Sequence, residues 1–272
     1  MRRLLLRLEL VDYVAIAVFV AAVGYASWVA WDVTGSGPDT ASVEALPTTP
    51  SEQVAAPDEA VEPPPLGPFR AAASRASSIL VVGDSTGAGT GAWVDLVAQD
   101  LGAERVVTLH QWDEQAEEFP DETSSYGDEG RQLDLWNLSY RGVDPDYPEH
   151  LGDLPRPDVV LLDIGHDRSP RAAARAATVT VDAISERWGD VPTAVILQNP
   201  SVEDEATQQR RAVRRLTRFA AEYGDPVIDV YTAFQRADPD QTLVDDDSRP
   251  TDDGFRLWAD EVDRALGVTT SE

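Results

Sequence analysis

From residue 77 onward, short apolar runs rich in β-branched residues alternate with longer stretches of helical periodicity. Strands are predicted at 79–82, 105–109, 133–137, 159–163, 194–197 and 227–229, and helices at 93–101, 171–188, 203–223 and 252–266. Strands that are apolar throughout need cover on both faces, and strands separated by helices pair in parallel. The sequence therefore predicts a three-layer α/β/α domain with a mostly parallel sheet over residues 77–268, followed by a tail of residues 269–272.

The start of the chain carries a second pattern, a basic segment followed by an apolar run. Arg2, Arg3 and Arg7 precede the run at 13–31, in which Ser27 is the one polar interruption. At a rise of about 1.5 Å per residue, a helix of this length just spans a hydrocarbon core of about 30 Å. One transmembrane helix is therefore predicted at 13–31, and the membrane is the predicted partner.

The positive-inside rule orients this anchor with residues 1–12 in the cytoplasm and all that follows outside the plasma membrane. Residues 32–76 are acidic and rich in Pro, Ala, Ser and Thr, a composition that predicts a disordered stalk. A cleaved signal peptide remains the alternative, because Gly24-Tyr25-Ala26 is an acceptable cleavage site and cleavage would give a secreted protein. The length of the apolar run favours the uncleaved anchor.

Charge and composition narrow the classes of ligand. The formal net charge of −27 repels phosphates and argues against a nucleic-acid partner. The chain has no Cys, so thiolate metal sites are excluded. The Gly-rich stretch 83–91 lacks the Lys of a phosphate-binding loop, and the Asp-rich stretch 245–253 does not fit the spacing of an EF-hand. We therefore expect neither a cofactor nor a metal site.

The first predicted strand runs directly into Gly83-Asp84-Ser85. A Ser on the turn that leaves a central strand can be exposed as a nucleophile while backbone N–H groups face the developing oxyanion. Tight turns also use Gly, Asp and Ser for conformational reasons alone, so this motif acquires meaning only with others.

Three further motifs follow in order at the ends of predicted strands and before the last helix. They are Asn137-Leu138-Ser139-Tyr140-Arg141-Gly142, Gly165-His166-Asp167, and Asp246-Asp247-Ser248-Arg249-Pro250 with Gly254 and Leu257-Trp258-Ala259 behind it. Together with the first motif they resemble the four blocks of the SGNH/GDSL hydrolase family, over about residues 77–266. The Gln198-Asn199-Pro200 segment and Trp93-Val94 resemble its membrane-anchored actinobacterial branch. The resemblance implies a flavodoxin-like sheet and serine ester hydrolysis by an esterase or deacylase.

The resemblance also implies roles for individual residues. Ser85 would be the nucleophile, and the N–H groups of Ser85 and Gly142 would form the oxyanion hole with an Asn side chain. A His, oriented by an Asp at the position of Asp246, would be the general base. Here Asp167 stands at the Asn position, and an ionised carboxylate cannot donate a hydrogen bond. Arg249 stands at the His position, and a guanidinium cannot accept a proton.

Arg249 is instead expected to pair with Asp246 or Asp247. His166 is a possible substitute base, because it follows a central strand at the same rim as Ser85. The favoured interpretation is a variable filler position, since a place on the same rim does not establish hydrogen-bond reach. The segment 110–131, which begins with His110 and contains Trp112 and Glu117, is long enough to predict a lid or a binding wall.

Two functions therefore stay open. The first is a membrane-anchored extracytoplasmic ester hydrolase acting on an acylated envelope glycan or lipid, with Ser85 as its nucleophile. The second is a catalytically inactive domain that keeps the fold as a binding or structural protein of the cell envelope, favoured by Asp167 and Arg249.

Overall fold

The computed structural model describes residues 62–141, 147–152, 154–166, 168–201, 206–238, 242–245 and 248–268. The helices are α1 (Gly67–Ala73), α2 (Trp93–Leu101), α3 (Tyr147–His150), α4 (Pro170–Trp188), α5 (Ala206–Tyr223), α6 (Val230–Ala237) and α7 (Asp252–Leu266). The strands are β1 (Ser78–Gly83), β2 (Arg105–Gln111), β3 (Ser124–Tyr126), β4 (Arg131–Ser139), β5 (Val159–Asp163), β6 (Thr193–Leu197) and β7 (Val227–Asp229). None of the helices in these ranges has the length and apolarity that crossing a membrane requires. The predicted anchor at 13–31 and the stalk before residue 62 lie outside the described residues.

The seven strands form one sheet in the order β3-β2-β4-β1-β5-β6-β7. All neighbours pair in parallel except β3, which is antiparallel to β2 at the edge. Strand β1 lies in the middle, with Gly83 level with Ser139 of β4 on one side and with Asp163 of β5 on the other. After β1, the chain first builds β2, β3 and β4 on one side of that strand and then β5, β6 and β7 on the other. The carboxyl end of β1 is therefore the topological switch point, where open α/β sheets bind their ligands.

Apolar side chains cover both faces of the sheet, as strands buried on both sides demand. Every residue of β5 and β6 is buried. Helices α1, α2, α6 and α7 share one core with one face, in which the rings of Trp93 and Trp258 stack with centroids 5.9 Å apart. Helices α3, α4 and α5 share a second core with the other face. The predicted α/β fold with a mostly parallel sheet is confirmed.

The last helix begins where its sequence predicts. Thr251 caps it, because its Oγ1 accepts a hydrogen bond from the N–H of Gly254 at 3.3 Å. Asp252 and Asp253 occupy the first turn, where a carboxylate interacts favourably with the helix dipole. Gly267 ends the helix in the left-handed conformation, with φ of 84°.

Helix α1 corrects the predicted end of the stalk. Composition predicts disorder throughout residues 32–76, but Gly67–Ala73 is helical and buries Phe69 and Ala73 in the core shared with α7. A helix of seven residues is too short to show a clear amphipathic period in the sequence. The prediction of disorder at these residues therefore rests on composition alone. The folded domain therefore begins before residue 77.

Candidate active site

Ser85 lies half-buried in the turn that follows β1, which we call the nucleophile turn (residues 83–87). The adjacent Asp84 is fully buried. Its carboxylate accepts hydrogen bonds from the N–H and Oγ1 of Thr86, at 3.2 and 2.8 Å, and from Nε2 of Gln198 at 2.8 Å. It also accepts from the backbone N–H groups of Gly165 and His166, at 3.0 and 2.8 Å. One carboxylate thus ties the nucleophile turn to the segment after β5.

A second buried acid, Asp163, completes this network. The Thr86 hydroxyl lies 2.8 Å from Oδ1 of Asp84 and 3.1 Å from Oδ2 of Asp163, yet it has a single proton to donate. Burial, and then the charge of Asp84, raise the pKa of Asp163 well above its usual value. A proton on Asp163 satisfies the remaining contact to Thr86, while the two N–H bonds of the Gln198 amide reach one oxygen of each acid at 2.8 Å. With Asp163 neutral, the contacts of Thr86 and of the Gln198 Nε2 group with both acids are therefore satisfied.

The turn also packs closely against β4. A Cβ atom at Gly83 or Gly87 would meet Oγ of Ser139 at 2.7 and 2.6 Å, so neither position has room for a larger residue without a shift. Nδ2 of Asn137 donates to the carbonyl oxygen of Gly87 at 2.8 Å and to Oε1 of Gln111 at 2.7 Å. The Asn and Ser of the second motif therefore hold the nucleophile turn in place.

The imidazole of His166 has a defined orientation. Nδ2 of Asn199 donates to the carbonyl oxygens of Pro200 and Ser248, at 2.9 and 3.0 Å, which leaves Oδ1 facing the imidazole. His166 Nε2 lies 2.8 Å from that oxygen, so Nε2 carries the proton and donates it. In the neutral ring Nδ1 is then the acceptor. Asn199 thereby holds His166 in the tautomer that a general base requires.

The loop before α7, which we call the base loop (residues 243–250), contains no imidazole. Arg249 is exposed, and its guanidinium carbon lies 5.4 Å from the centroid of the Phe255 ring. Its backbone N–H donates to Oδ1 of Asp245 at 2.8 Å. Ser248 is buried and adopts a positive φ of 62°, a conformation that is rare outside Gly. The predicted partners of Arg249, Asp246 and Asp247, lie outside the described residues.

Gly142, Asp167 and Asp246 all fall outside the described residues, so the roles implied for them stay predictions. The structure does connect the other motifs. Asp84 joins the nucleophile turn to His166, and Asn199 joins His166 to the base loop through Ser248.

Sequence reasoning missed the parts played by Asp163, Gln198 and Asn199. Asp163 ends β5, and Gln198 and Asn199 directly follow β6, so all three lie at the carboxyl edge of the sheet. A polar residue at the end of a wholly apolar strand is the signal that identifies them, because such a residue must find hydrogen-bond partners when buried.

One group of carboxylates elsewhere in the described ranges has a spacing suitable for a metal ion: Asp100, Asp260 and Asp263 on α2 and α7. Arg256 forms ion pairs with all three and already supplies the positive charge. Burial, and then a hydrogen bond shared with Asp100, raise the pKa of Asp263 to about 9, which removes one negative charge at neutral pH. A proton and a guanidinium thus offset two of the three negative charges of these aspartates.

The fold is that of known lipolytic hydrolases. A lipolytic protein of the G-D-S-L family from Veillonella parvula matches with a TM-score of 0.51 and 16% identity, over 71% of this chain and 99% of its own. A lipase/acylhydrolase from Enterococcus faecalis matches with a TM-score of 0.52 and 16% identity, over 72% and 98%. An acetylxylan esterase from Geobacillus stearothermophilus matches with a TM-score of 0.50 and 14% identity, over 71% and 95%. No protein-family model and no curated protein matches the sequence. The predicted SGNH/GDSL-type fold is confirmed.

Proposed function

We propose that this protein is a membrane-anchored, extracytoplasmic serine ester hydrolase of the SGNH type, with Ser85 as nucleophile and His166 as general base. The observation that carries the proposal is the shared carboxylate of Asp84, which accepts from Thr86 N–H beside the nucleophile and from His166 N–H. The backbone next to the nucleophile and the backbone of His166 are thus held by one buried carboxylate at the switch point of the sheet. The fold shared with lipases and esterases supports the reaction class.

In the proposed reaction, Ser85 Oγ attacks the carbonyl carbon of the ester while its proton passes to Nδ1 of His166. The tetrahedral intermediate collapses, the C–O bond to the alcohol breaks, and the alcohol leaves with that proton. Water then attacks the acyl-serine, gives its proton to His166, and the carboxylic acid leaves as Ser85 recovers its hydrogen. The N–H groups implied by the resemblance, those of Ser85 and Gly142, would bind the oxyanion.

Asn199 has the positioning part that a third residue plays in a catalytic triad. Its Oδ1 accepts from His166 Nε2 at 2.8 Å and fixes the tautomer, as the Asn of Cys-His-Asn enzymes does. A neutral amide stabilises the imidazolium less than a carboxylate, and Asp167 replaces a hydrogen-bond donor of the family. We therefore expect slow turnover. The predicted anchor would place the site outside the membrane, towards acylated envelope glycans or lipids.

Fluorophosphonate labelling of the full-length protein in detergent, read by intact mass, tests this proposal. We expect one adduct that disappears in Ser85→Ala. His166→Ala should slow labelling by about 10²–10⁴-fold. His110→Gln is the matched control and should label at the normal rate, because His110 lies within β2 and its Nε2 lies 3.2 Å from Oδ1 of Asp134. Asn199→Ala should slow labelling and alter its pH profile, because the tautomer of His166 is then no longer fixed.

The second candidate function is a ligand-binding domain without turnover, and the exposed guanidinium of Arg249 at the His position favours it. In that case the folded wild-type protein does not label, and Arg249→His combined with Asp167→Asn restores labelling. Labelling of wild type that is insensitive to His166→Ala would also reject His166 as the base while retaining the activated serine.

A further inference from the structure

A cavity of about 390 Å³ opens between the loop that follows β2 and the segment around α3. Trp112, Phe119 and Trp136 form its apolar walls, and Glu117, Glu118 and Glu149 lie among its lining residues. We call this cavity the aromatic cleft. The predicted binding wall at 110–131 supplies part of it, through Trp112, Glu117, Glu118 and Phe119.

The aromatic rings of the cleft pack against one another at steep angles. Phe119 contacts Trp112 with centroids 5.2 Å apart and planes at 72°, and it contacts Trp136 at 5.2 Å and 86°. His150 adds a fourth ring, 4.6 Å from Trp112 and tilted by 44°. The lining of the cleft therefore contains aromatic rings in several orientations.

The polar lining of the cleft is strongly negative. Glu117, Glu118 and Glu149 are exposed, and within the part of the chain that the structure describes none of their side chains has a hydrogen bond or a salt bridge. Glu117 adopts a left-handed φ of 54°, an unusual conformation for a residue with a side chain. The lining contains no Arg, although the chain has 22. Among the described residues of the lining, these three carboxylates therefore have no Arg as a counter-charge.

Contacts between rings connect the cleft to the nucleophile turn. The His150 ring lies 5.7 Å from the Tyr140 ring, which in turn lies 4.9 Å from the Tyr147 ring. Tyr147 Oη donates a hydrogen bond of 2.8 Å to the carbonyl oxygen of Gly83, the residue that opens the turn. A chain of side-chain contacts thus runs from the cleft to the turn that carries Ser85.

We propose that the aromatic cleft binds an organic ammonium group, carried by the ester substrate of the neighbouring serine. Aromatic faces attract a cation through the ring quadrupole, and the carboxylates add long-range attraction. The same charges repel phosphate and carboxylate headgroups. That the ammonium belongs to the substrate rests on the proposed hydrolysis, whereas the binding itself does not.

Choline and its uncharged isostere 3,3-dimethylbutan-1-ol form a matched pair of probes. We expect the full-length Ser85→Ala protein to bind choline at least tenfold more tightly than the isostere, measured by Trp fluorescence and calorimetry. Binding should weaken as salt increases, because screening reduces the attraction of the carboxylates. Glu149→Gln and Glu117→Gln should each weaken it severalfold. Glu122→Gln, an exposed residue outside the lining, removes the same charge and is the matched control.

Equal affinity for choline and its isostere, or equal effects of the Glu149 and Glu122 variants, would overturn the inference. Tighter binding of a neutral sugar such as chitotriose would do the same and would assign the cleft to glycans. Trp112→Leu should abolish choline binding, and circular dichroism must first establish that this variant is folded. Choline binding without labelling of Ser85 in the wild type would reject the hydrolysis alone, whereas labelling without choline binding would reject the cleft alone.

Discussion

The nucleophile turn and the base loop approach the same edge of the sheet but are constrained very differently. Asp84, in the turn, is fully buried and accepts five hydrogen bonds, two of them from the backbone after β5. Arg249, in the base loop, is exposed, and its side chain lies over one ring. The residues of the turn are thus needed for the stability of the fold as well as for the proposed reaction. At position 249 an exposed side chain can change without disturbing the core, so catalytic chemistry can be lost there while the fold persists.

Arg249→His tests this difference between the nucleophile turn and the base loop, and it has the largest expected effect. If the base loop lacks only an imidazole and His166 does not act as the base, the substitution should increase the rate of Ser85 labelling by about 10²–10⁴-fold, the usual contribution of a general base. Arg249→Gln removes the same charge without adding a base, and it should leave the rate near that of the wild type. Equal rates for the two variants are expected if His166 is already the base, and they would mean that the missing imidazole of the loop does not limit the reaction.

Asp84→Asn tests how much the nucleophile turn contributes to the stability of the fold. An amide cannot accept from all five donors, so we expect a loss of about 3–5 kcal/mol in the free energy of unfolding, measured by urea denaturation. Asp245→Asn, in the base loop, is the matched control. Asp245 is exposed, and its loss should cost less than about 1 kcal/mol. Similar losses for the two variants would remove the difference between the loops.

The pH dependence of stability gives a further test of the difference between the nucleophile turn and the base loop, with a smaller expected effect. Burial, and then the charge of Asp84, raise the pKa of Asp163, so the folded protein holds this proton more tightly than the unfolded chain. The free energy of unfolding should therefore fall as the pH rises above about 4, the usual pKa of Asp. Asp163→Asn should flatten this slope in urea denaturation at pH 5, 7 and 9.

A second acid, which belongs to neither loop, also contributes to the pH dependence of the free energy of unfolding. The pKa of Asp263 is raised to about 9, so its contribution is present below pH 4 and is lost progressively up to pH 9. Asp263→Asn identifies this part, and the remaining slope belongs to the nucleophile turn. A slope that is unchanged in Asp163→Asn would contradict a neutral acid beneath the turn.

Much of the fold was predictable because its elements are long or strongly patterned. Every predicted strand was found, and the helices at 93–101 and 252–266 were predicted with their exact bounds. The elements that were missed are short: β3, α1, α3 and α6 have three, seven, four and eight residues. Elements of this size display too little periodicity, and contacts distant in sequence decide whether they form.

The candidate site was predictable in part for the same reason. Ser85 and His166 follow strands and belong to recognisable motifs, so their position at one rim could be predicted. The pairing of His166 with Asn199 could not, because it joins residues 33 positions apart through side-chain orientations that no local pattern encodes. The aromatic cleft likewise combines a loop, a strand and a short helix.

Helix α1 has a consequence for how the chain could be rearranged. Arg70 of α1 approaches Gly267, so close that a Cβ added to that glycine would lie 3.1 Å from Cγ of Arg70. The first and last helices of the domain therefore bring its two ends together, and a short linker could join them. New termini opened in an exposed loop, such as 113–118, would then give a circularly permuted domain in which sheet order, cores and nucleophile turn are unchanged.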